Sequence, residues 1–406
     1  MNYLLLIILL AGFGWITWKN FKLGLGIFIF LLPSYFIRFQ IGPLPTTLLE
    51  LCFIILAILW FFKQGGYKFR DKNLKTWLIP IILFLLTATI SIFVSPDKIG
   101  ALGIWKAYFI EPVFFFFIII STLKTRADWL MIFRALCFSG IAIAVFAIVQ
   151  KFTGLYIPEA WLTERRVTSV FGFPNAVGLY LGPIIILAFS LLYDYLKSKA
   201  WAWSAFYALT FIISLIAIYF SKTEAAWIAV GAGLFIFCLF KRDLRILAII
   251  LAITVILIVG FTPDYREPIM EKVLLKDWSG QVRLTIWNES WEMLKTNSIF
   301  GAGLAGYPLA IIPFHEASYI EIFQYPHNFL LNFWSEIGIL GLIAWLWLTA
   351  KSLKYSLQNY KKEFAIIVTC FVTVIIIHGL VDVPYLKNDL AMMYWLFAGL
   401  AFYIKK

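Results

Sequence analysis

The sequence predicts an all-α fold, a polytopic transmembrane helical bundle of about 12–13 spans with a long outer-face segment that contains an amphipathic helix. Three observations predict this class. Of the 406 residues, 62% are hydrophobic and only 14% are charged, and the mean hydropathy is +0.89, which is more apolar surface than a soluble core can bury. Apolar runs of roughly 16–22 residues, long enough to cross a bilayer as helices, follow one another along the chain. Short lysine and arginine clusters separate them.

The apolar runs form one membrane domain, residues 1–406. We expect spans at 2–18, 23–37, 44–62, 77–94, 103–120, 129–150, 175–193, 201–220, 225–240, 246–261, 328–350, 364–381 and 389–404. The first run has neither a basic leader nor a small-residue cleavage site, so we expect a retained anchor. Because Pro33 interrupts the second run, the sequence leaves open whether the first two runs are both full spans.

The net charge of +12 indicates membrane orientation rather than nucleic-acid binding. The basic clusters fall on alternate loops, at Lys19/Lys22, 63–75, Lys124/Arg126, Lys197/Lys199, Lys241/Arg242/Arg245, 351–362 and Lys405/Lys406. The positive-inside rule makes these loops cytoplasmic, with the N-terminus outside and the C-terminus inside. We therefore expect the chain to contact membrane lipids and not to bind nucleic acid.

The opposite set of connections is expected on the outer face, at 151–174, 221–224, 262–327 and 379–388. Positive charges there run against the topological rule, and among them are Arg165, Arg166, Lys222 and Arg283. An anionic ligand at the outer leaflet, such as a phosphate or pyrophosphate, explains them together. The alternative is that individual residues pair with nearby carboxylates, which are Glu164, Glu224 and Glu289.

The stretch "SGQVRLTIWNESWEMLKTNSIFGAGLAGYP" (279–308) predicts the amphipathic helix of the long outer segment. Four apolar residues share one stripe at helical spacing: Leu284, Trp287, Trp291 and Leu294. Arg283 lies at the edge of this stripe, at the level of a lipid phosphate. The alternative for Arg283 is an interfacial arginine without a specific ligand.

The glycines of "GAGLAG", which are Gly301, Gly303 and Gly306, formally match a dinucleotide-binding fingerprint. No strand or βαβ pattern surrounds them, so we reject that function. We expect them to end the amphipathic helix and to allow a tight return of the chain.

His327 stands at the start of the apolar run "HNFLLNFWSEIGILGL" on the expected outer face. A lone histidine at a helix start is more often a structural residue than a catalyst. Histidine titrates near neutral pH, however, and His327 shares its face with the unusual basic residues, so it is suited to take a proton from an acceptor hydroxyl. The chain contains neither CxxC nor DxD, and no metal or other cofactor is expected.

Four stretches together resemble the O-antigen ligase and polymerase superfamily of integral membrane glycosyltransferases. They are "RRVTSVFGFPNAVGLYL", "SKTEAAWIA", "VRLTIWNESWEMLKTNSIFGAGLAGY" and "HNFLLNFWSEIGILGL". They occur in the order and topological setting of that family, over roughly 165–342, and "HGLVDVPYLKNDL" near the end is also similar. One departure is Ser221-Lys222, where the family commonly has Ser-Arg. Because lysine lacks the planar fork of arginine, a bidentate phosphate contact is not expected at this position.

The resemblance implies a bacterial inner (plasma) membrane enzyme whose active site faces the periplasm or cell exterior. Such enzymes move a glycan from undecaprenyl pyrophosphate to a glycan, lipid or protein acceptor, without metal or nucleotide. By resemblance, His327 and Arg283 are catalytic. The substrate-binding residues are Arg165, Arg166, Asn175, Lys222 and Asn328. Two ionisable residues in or beside spans form a second tier, Glu336 and Asp382.

Other functions remain open at this stage. Within the superfamily, an O-antigen ligase, an O-antigen polymerase and a protein O-oligosaccharyltransferase are not separated by the motifs. A transporter of a lipid-linked or anionic substrate also needs outer basic residues, but we expect it to have inverted repeats, and no internal repeat is visible in the sequence. A membrane scaffold needs neither the basic residues nor the long aromatic segment.

Overall fold

The computed structural model describes residues 3–42, 44–66, 72–317 and 319–405. Parts of four predictions lie outside these ranges. They are the start of the first span at Asn2, positions 67–71 of the basic run 63–75, position 318 of the long outer segment, and Lys406.

The described chain is helical at each of the predicted spans. The corresponding helices are α1 (Tyr3–Lys19), α2 (Phe21–Phe30), α3 (Leu48–Gln64), α4 (Lys72–Val94), α5 (Lys98–Ile104) with α6 (Glu111–Thr122), α7 (Arg126–Thr153), α9 (Asn175–Lys197), α10 (Trp201–Ser221), α11 (Glu224–Phe240), α12 (Arg242–Phe261), α16 (Phe329–Gln358), α17 (Ala365–Gly379) and α18 (Asn388–Lys405). Shorter helices lie between them: α8 (Glu159–Leu162), α13 (Pro263–Val273), α14 (Trp278–Thr296) and α15 (Tyr307–Ala310), with 3-10 turns at Leu32–Phe36 and Ile312–Phe314.

Seven helices within the described ranges are long and apolar enough to cross a membrane. They are Asn73–Val94, Lys98–Thr122, Arg126–Thr153, Asn175–Lys197, Trp201–Ser221, Arg242–Phe261 and Phe329–Gln358. The predicted all-α polytopic membrane fold is confirmed. The count of about 12–13 spans stays a prediction, because several of the remaining apolar helices are shorter than a full crossing.

The second and third predicted spans are less regular than expected. Helix α2 ends at Phe30, and a 3-10 turn follows around Pro33, which has no N–H to donate to the carbonyl four residues earlier. The chain then forms a hairpin of β1 (Arg38–Ile41) and β2 (Leu44–Thr47), which pair antiparallel. Thr47 caps α3 by accepting from the Glu50 N–H. The third span therefore begins as a strand rather than as a helix.

The fifth span contains a π-helical turn over Trp105–Ile110, directly before Pro112. Because Pro112 has no N–H, the carbonyl of Tyr108 loses its usual helical donor. The hydroxyl of Tyr385 donates to that carbonyl instead, over 2.8 Å, and Trp395 Nε1 donates in turn to Tyr385. The irregular turn thus ties this span to the loop between α17 and α18.

The helices differ in how completely the protein surrounds them. Every residue of α9 from Ala176 to Ala188 is buried, and α18 is buried over most of its length. By contrast, α12 has no buried residue although it is apolar on all sides. A helix of that composition that packs against the protein without burying any of its residues is suited to contact with lipid.

Loops that the charge pattern predicts on the same side of the membrane contact one another. At one end of the bundle, Lys22 pairs with Asp128 at 2.6 Å, Lys241 pairs with Asp194 at 3.3 Å, and Lys351 donates to the Thr76 carbonyl. All of these residues belong to connections or helix ends that we expect to be cytoplasmic. The packing therefore agrees with the predicted alternation of the loops between the two ends of the bundle. Which of these ends faces the cytoplasm stays a prediction.

Candidate functional site

The α17–α18 loop at 380–387 is the centre of the site. Asp382, with a side chain only 6% exposed, accepts a hydrogen bond from Asn175 Nδ2 at 2.9 Å and one from the Val383 N–H at 2.8 Å. Asn175 contacts Oδ2 and the Val383 N–H contacts Oδ1. His327 Nδ1 lies 3.6 Å from the same Oδ1. Burial alone raises the pKa of Asp382, but the neighbouring His327 and His378 and the Val383 N–H outweigh burial, and the pKa is lowered. Asp382 is therefore held as a carboxylate beside His327.

The position of His327 is set by the residues on either side of it. Asn328 caps α16, accepting from the N–H groups of Leu330 and Leu331, and its Nδ2 donates to the Leu380 carbonyl at 3.0 Å. Trp287 donates to the Pro326 carbonyl at 2.9 Å. His327 itself has a positive φ of 48°. Its side chain keeps 28% exposure, so the imidazole is oriented by the protein yet open to a substrate.

Arg283 reaches the same loop from α14. Its Nε donates to the Val381 carbonyl at 3.3 Å, and its Nη1 donates to Ser279 Oγ at 2.8 Å. In the described part of the chain, no carboxylate forms an ion pair with it. The structure thus brings Arg283, His327, Asp382 and Asn175 together at one loop, from four different helices or helix ends.

The other predicted basic residues lie in a second group, at the turn between α10 and α11. Lys222 pairs with Glu164 at 3.1 Å, so the alternative of simple ion pairing applies to Lys222. Arg166 donates to the Ser221 carbonyl and lies over the Trp161 ring, with 4.8 Å from Cζ to the ring centroid. Arg165 is exposed. Among described residues, neither arginine forms an ion pair.

The two groups are joined by the chain that leads into α9. The Val167 N–H donates to the Phe220 carbonyl, and the Thr223 hydroxyl donates to the Pro174 carbonyl at 3.3 Å. The next residue, Asn175, contacts Asp382. The segment 167–175 therefore connects the basic group to the His327 loop.

Glu336 does not join either group. It lies buried in α16, two residues before a break at Gly338, where φ is 72° and ψ is 175°. Its Oε2 accepts from the Ala305 N–H at 2.9 Å. This carboxylate anchors the glycine-rich loop to the broken helix, which is a structural contact.

The glycines of that loop do not end α14, as we expected them to, although Gly301 and Gly303 have the positive φ values of a tight return. Helix α14 already ends at Thr296, and Asn297 follows as its C-cap, before any glycine. A Cβ on Gly303 would lie 2.5 Å from the Ser95 nitrogen, and one on Gly338 would lie 2.3 Å from the Ile299 carbonyl oxygen. The glycines allow the loop to pack against α4 and the break in α16.

The predicted apolar stripe of the amphipathic helix is only partly correct. Leu294 is buried, but Trp291 is 47% exposed. The face of α14 that packs against the protein carries Ile286, Glu289, Ser290, Met293 and Leu294. Periodicity alone could not choose this face, because two of its residues are polar and find partners only in the folded chain. Ser290 bonds to the Tyr307 hydroxyl, and Glu289 bonds to His315.

Lys387 is a basic residue of the expected outer face that was not selected from the sequence. Lys387 lies at the end of the 380–387 loop, and the rule that selected Arg283 applies to it equally. Its ammonium lies 4.3 Å from the centroid of the Phe171 ring, on the segment that also carries Asn175.

Part of the chain is similar to known proteins. A family model described as O-antigen ligase matches residues 209–346, about a third of the chain. The predicted resemblance to the O-antigen ligase superfamily is confirmed for this part of the chain. The matched part runs from α10 to α16 and contains Lys222, Arg283, His327, Asn328 and Glu336. The remaining site residues lie outside the match.

A protein of Rickettsia conorii that carries the name polysaccharide ligase is 28% identical over 207 residues. The alignment covers 47% of this chain and 48% of the relative, so the chain spans about half the length of the curated relative it matches. The name of this relative is consistent with the family model that matches residues 209–346. The activity in that name is the activity of the relative.

Proposed function

We propose that this protein is a glycan transferase of the O-antigen ligase type. It moves a glycan from undecaprenyl pyrophosphate to an acceptor hydroxyl at the outer face of the bacterial inner membrane. The observation that carries the proposal is the arrangement at one loop: Asp382 lies 3.6 Å from His327 Nδ1, and Arg283 contacts Val381, the residue next to Asp382. A base, its orienting carboxylate and a cation are thus combined.

The reaction is a displacement at the anomeric carbon of the donor. The acceptor oxygen forms a bond to that carbon as the bond from carbon to the pyrophosphate oxygen breaks. The lipid pyrophosphate leaves with the electron pair, and the hydroxyl proton passes to Nε2 of His327. Asp382 faces Nδ1 and stabilises the imidazolium that forms.

Arg283 stabilises the negative charge that develops on the departing pyrophosphate. Such a contact is stronger in the transition state than in the ground state, and it therefore accelerates the chemical step. Arg165 and Arg166, which have no carboxylate ion pair in the described chain, are proposed to bind the same donor near its phosphates. Lys222, already paired with Glu164, has a smaller part. Asn175 and Asn328 act by positioning Asp382 and His327.

The experiment that tests the proposal uses the purified full chain in liposomes with an undecaprenyl-pyrophosphate-linked glycan. A lipid A core acceptor, a second lipid-linked glycan and a protein acceptor are supplied separately, and the products are separated by mass. Growth of one product identifies a ligase, a polymerase or a protein transferase. Movement of intact donor across the bilayer, with no new glycosidic bond, would instead identify a transporter and contradict the proposal.

Transfer should not depend on a divalent metal or a nucleotide triphosphate. The sequence has no paired DxD carboxylates, and the proposed step takes its charge stabilisation from Arg283. We expect full transfer in excess chelator without added nucleotide, measured in the same liposomes. Loss of transfer in chelator and its return on addition of Mg²⁺ or Mn²⁺ would contradict this mechanism.

A further inference from the structure

Lys387 and Asp389 form a buried charged pair that the proposed transfer step does not use. The Lys387 side chain is 12% exposed and the Asp389 side chain is fully buried, and their closest charged atoms are 3.9 Å apart. Within the described chain, neither Lys387 Nζ nor Asp389 Oδ2 has a hydrogen-bond partner. A buried ammonium without a hydrogen bond is costly, so this arrangement is poorly satisfied in the free protein.

The surroundings of the Lys387 ammonium are aromatic. Its Nζ lies 4.3 Å from the Phe171 ring centroid, 5.4 Å from Phe173 and 5.4 Å from Tyr35. These rings attract the cation through their faces but provide no acceptor oxygen. Burial lowers the pKa of Lys387, and the charges of Asp389 and Asp382 oppose this effect. Asp389 Oδ1, 3.9 Å from the ammonium, pairs with its charge but lies beyond hydrogen-bond distance, and no described residue accepts a hydrogen bond from Lys387 Nζ.

The backbone adds positive potential at the same place. Lys387 precedes α18, an 18-residue helix, and its carbonyl accepts from the Ala391 N–H in the first turn. The N-terminus of a helix carries partial positive charge and attracts anions. A lysine at this end of a helix is unfavourable by itself, because both charges have the same sign. The Asp389 carboxylate in the first turn offsets part of that repulsion, and a bound anion would offset more of it.

Lys387 is also connected to the proposed catalytic residues. It lies five residues after Asp382 in the same loop. The segment 167–175 places Phe171 and Phe173 beside Lys387 and Asn175 against Asp382. The same segment thus contacts both Lys387 and the carboxylate that faces His327.

We infer that Lys387 is a substrate-binding residue, whose ammonium binds a phosphate oxygen of the lipid-linked donor at the N-terminus of α18. This inference rests on the proposed function. The alternative is that Lys387 and Asp389 are structural partners of each other and bind nothing. The two differ in what removal of Asp389 does. A structural pair fails when either member is removed, whereas a phosphate site loses its cation only with Lys387.

The test compares four variants in liposomes: Lys387→Met, Lys387→Arg, Asp389→Asn and the double change Lys387→Met/Asp389→Asn. Lys276→Met, which removes an exposed lysine of the expected outer face, is the matched control. Two quantities are measured, the KM for the undecaprenyl-pyrophosphate glycan and the direct binding of undecaprenyl pyrophosphate without acceptor. Inorganic pyrophosphate and undecaprenyl monophosphate are separate competitors, which distinguish a phosphate site from a lipid site.

We expect Lys387→Met to raise KM and weaken binding by roughly ten- to a hundred-fold, because a charge-assisted hydrogen bond is lost. Lys387→Arg should retain most of the affinity, Asp389→Asn should retain or improve it, and the double variant should behave like Lys387→Met. Unchanged affinity in Lys387→Met, or recovery in the double variant, would overturn the inference. Because binding is measured without transfer, its result is independent of whether the transfer proposal succeeds.

Discussion

At the scale of single residues, the site depends on how one imidazole is held. His327 faces Asp382, and Asp382 is fixed by Asn175 and by the Val383 N–H. The separation of 3.6 Å between Nδ1 and Oδ1 is longer than a good hydrogen bond. Such contacts often shorten only when substrate is bound.

His327→Ala should lower turnover by about 10²–10⁴-fold, the usual contribution of a positioned general base. Donor binding should remain nearly unchanged, because the imidazole acts on the acceptor. Turnover and donor affinity are measured separately in liposomes, and Asp382→Asn serves as a companion that should lower turnover through the orientation of His327. Full transfer by His327→Ala at neutral pH would show that the histidine is structural.

Arg283→Ala should reduce both donor affinity and turnover, because it removes charge stabilisation of the departing pyrophosphate. Arg283→Lys keeps the charge but loses the planar fork that now spans the Val381 carbonyl and Ser279. It should therefore restore only part of the loss. The measurement is kcat and KM for the donor in each variant, with expression level as the check on insertion. If Arg283→Ala were as active as the native protein, Arg283 would have no part in the mechanism.

At the scale of elements, the long segment before α16 is held by buried polar contacts. Glu289 of α14 accepts from the Glu316 and Ala317 N–H groups and contacts His315 Nδ1 at 3.0 Å. His315 Nε2 lies 2.9 Å from the Ile320 carbonyl. Both partners are acceptors, so only the doubly protonated imidazolium can donate to both.

This contact should make the segment more stable at low pH. The hydrogen bond with Glu289 raises the pKa of His315, although desolvation opposes it. The stabilisation is therefore fully present below the unfolded-state pKa of histidine and is lost as the pH rises through the raised folded value. We expect hydrogen exchange of 307–317, 319 and 320 to become faster, relative to the intrinsic rate, as the pH rises above about 6.5, the ordinary pKa of histidine.

His315→Gln is the control for that experiment, because glutamine does not titrate. Its exchange should show no corresponding change with pH. If the native segment and the glutamine variant had the same pH profile, the contact between His315 and Glu289 would not control the stability of this element.

At the scale of the whole molecule, the two ends of the bundle differ in what their loops do. The end expected in the cytoplasm is joined by pairs such as Lys22 with Asp128 and Lys241 with Asp194. The opposite end brings together the loops that carry Arg283, His327 and Asp382. Transfer at the outer face requires this second end to face away from the cytoplasm.

Cysteine labelling in intact cells measures that orientation. Glu321 and Lys361 are both exposed and lie at opposite ends of the bundle. A membrane-impermeant thiol reagent should label Glu321→Cys and should leave Lys361→Cys unlabelled until the cells are opened. The four native cysteines are replaced by serine or alanine to remove background. Labelling of Lys361→Cys alone would invert the site and contradict the proposed donor.

The sequence by itself determined the membrane class, most helix positions and the resemblance to the O-antigen ligase superfamily. The hydropathy and charge patterns that predict helices extend over only a few turns, so they are visible in the sequence without the fold. The same local rules predicted the irregularity at Pro33. They also selected Arg283 and His327, which the fold then places at one loop.

Only the tertiary structure decided which of the selected residues work together. Asn175 and Asp382 meet across 207 positions of sequence, and no local pattern encodes that contact. Lys222 and Arg166 look alike in the sequence, but only Lys222 finds a carboxylate. Glu336 and Asp382 were equal candidates, and the fold uses one to anchor a loop and sets the other beside His327. The physical reason is that charge pairing and orientation depend on distances between helices, which the packing of the whole bundle sets.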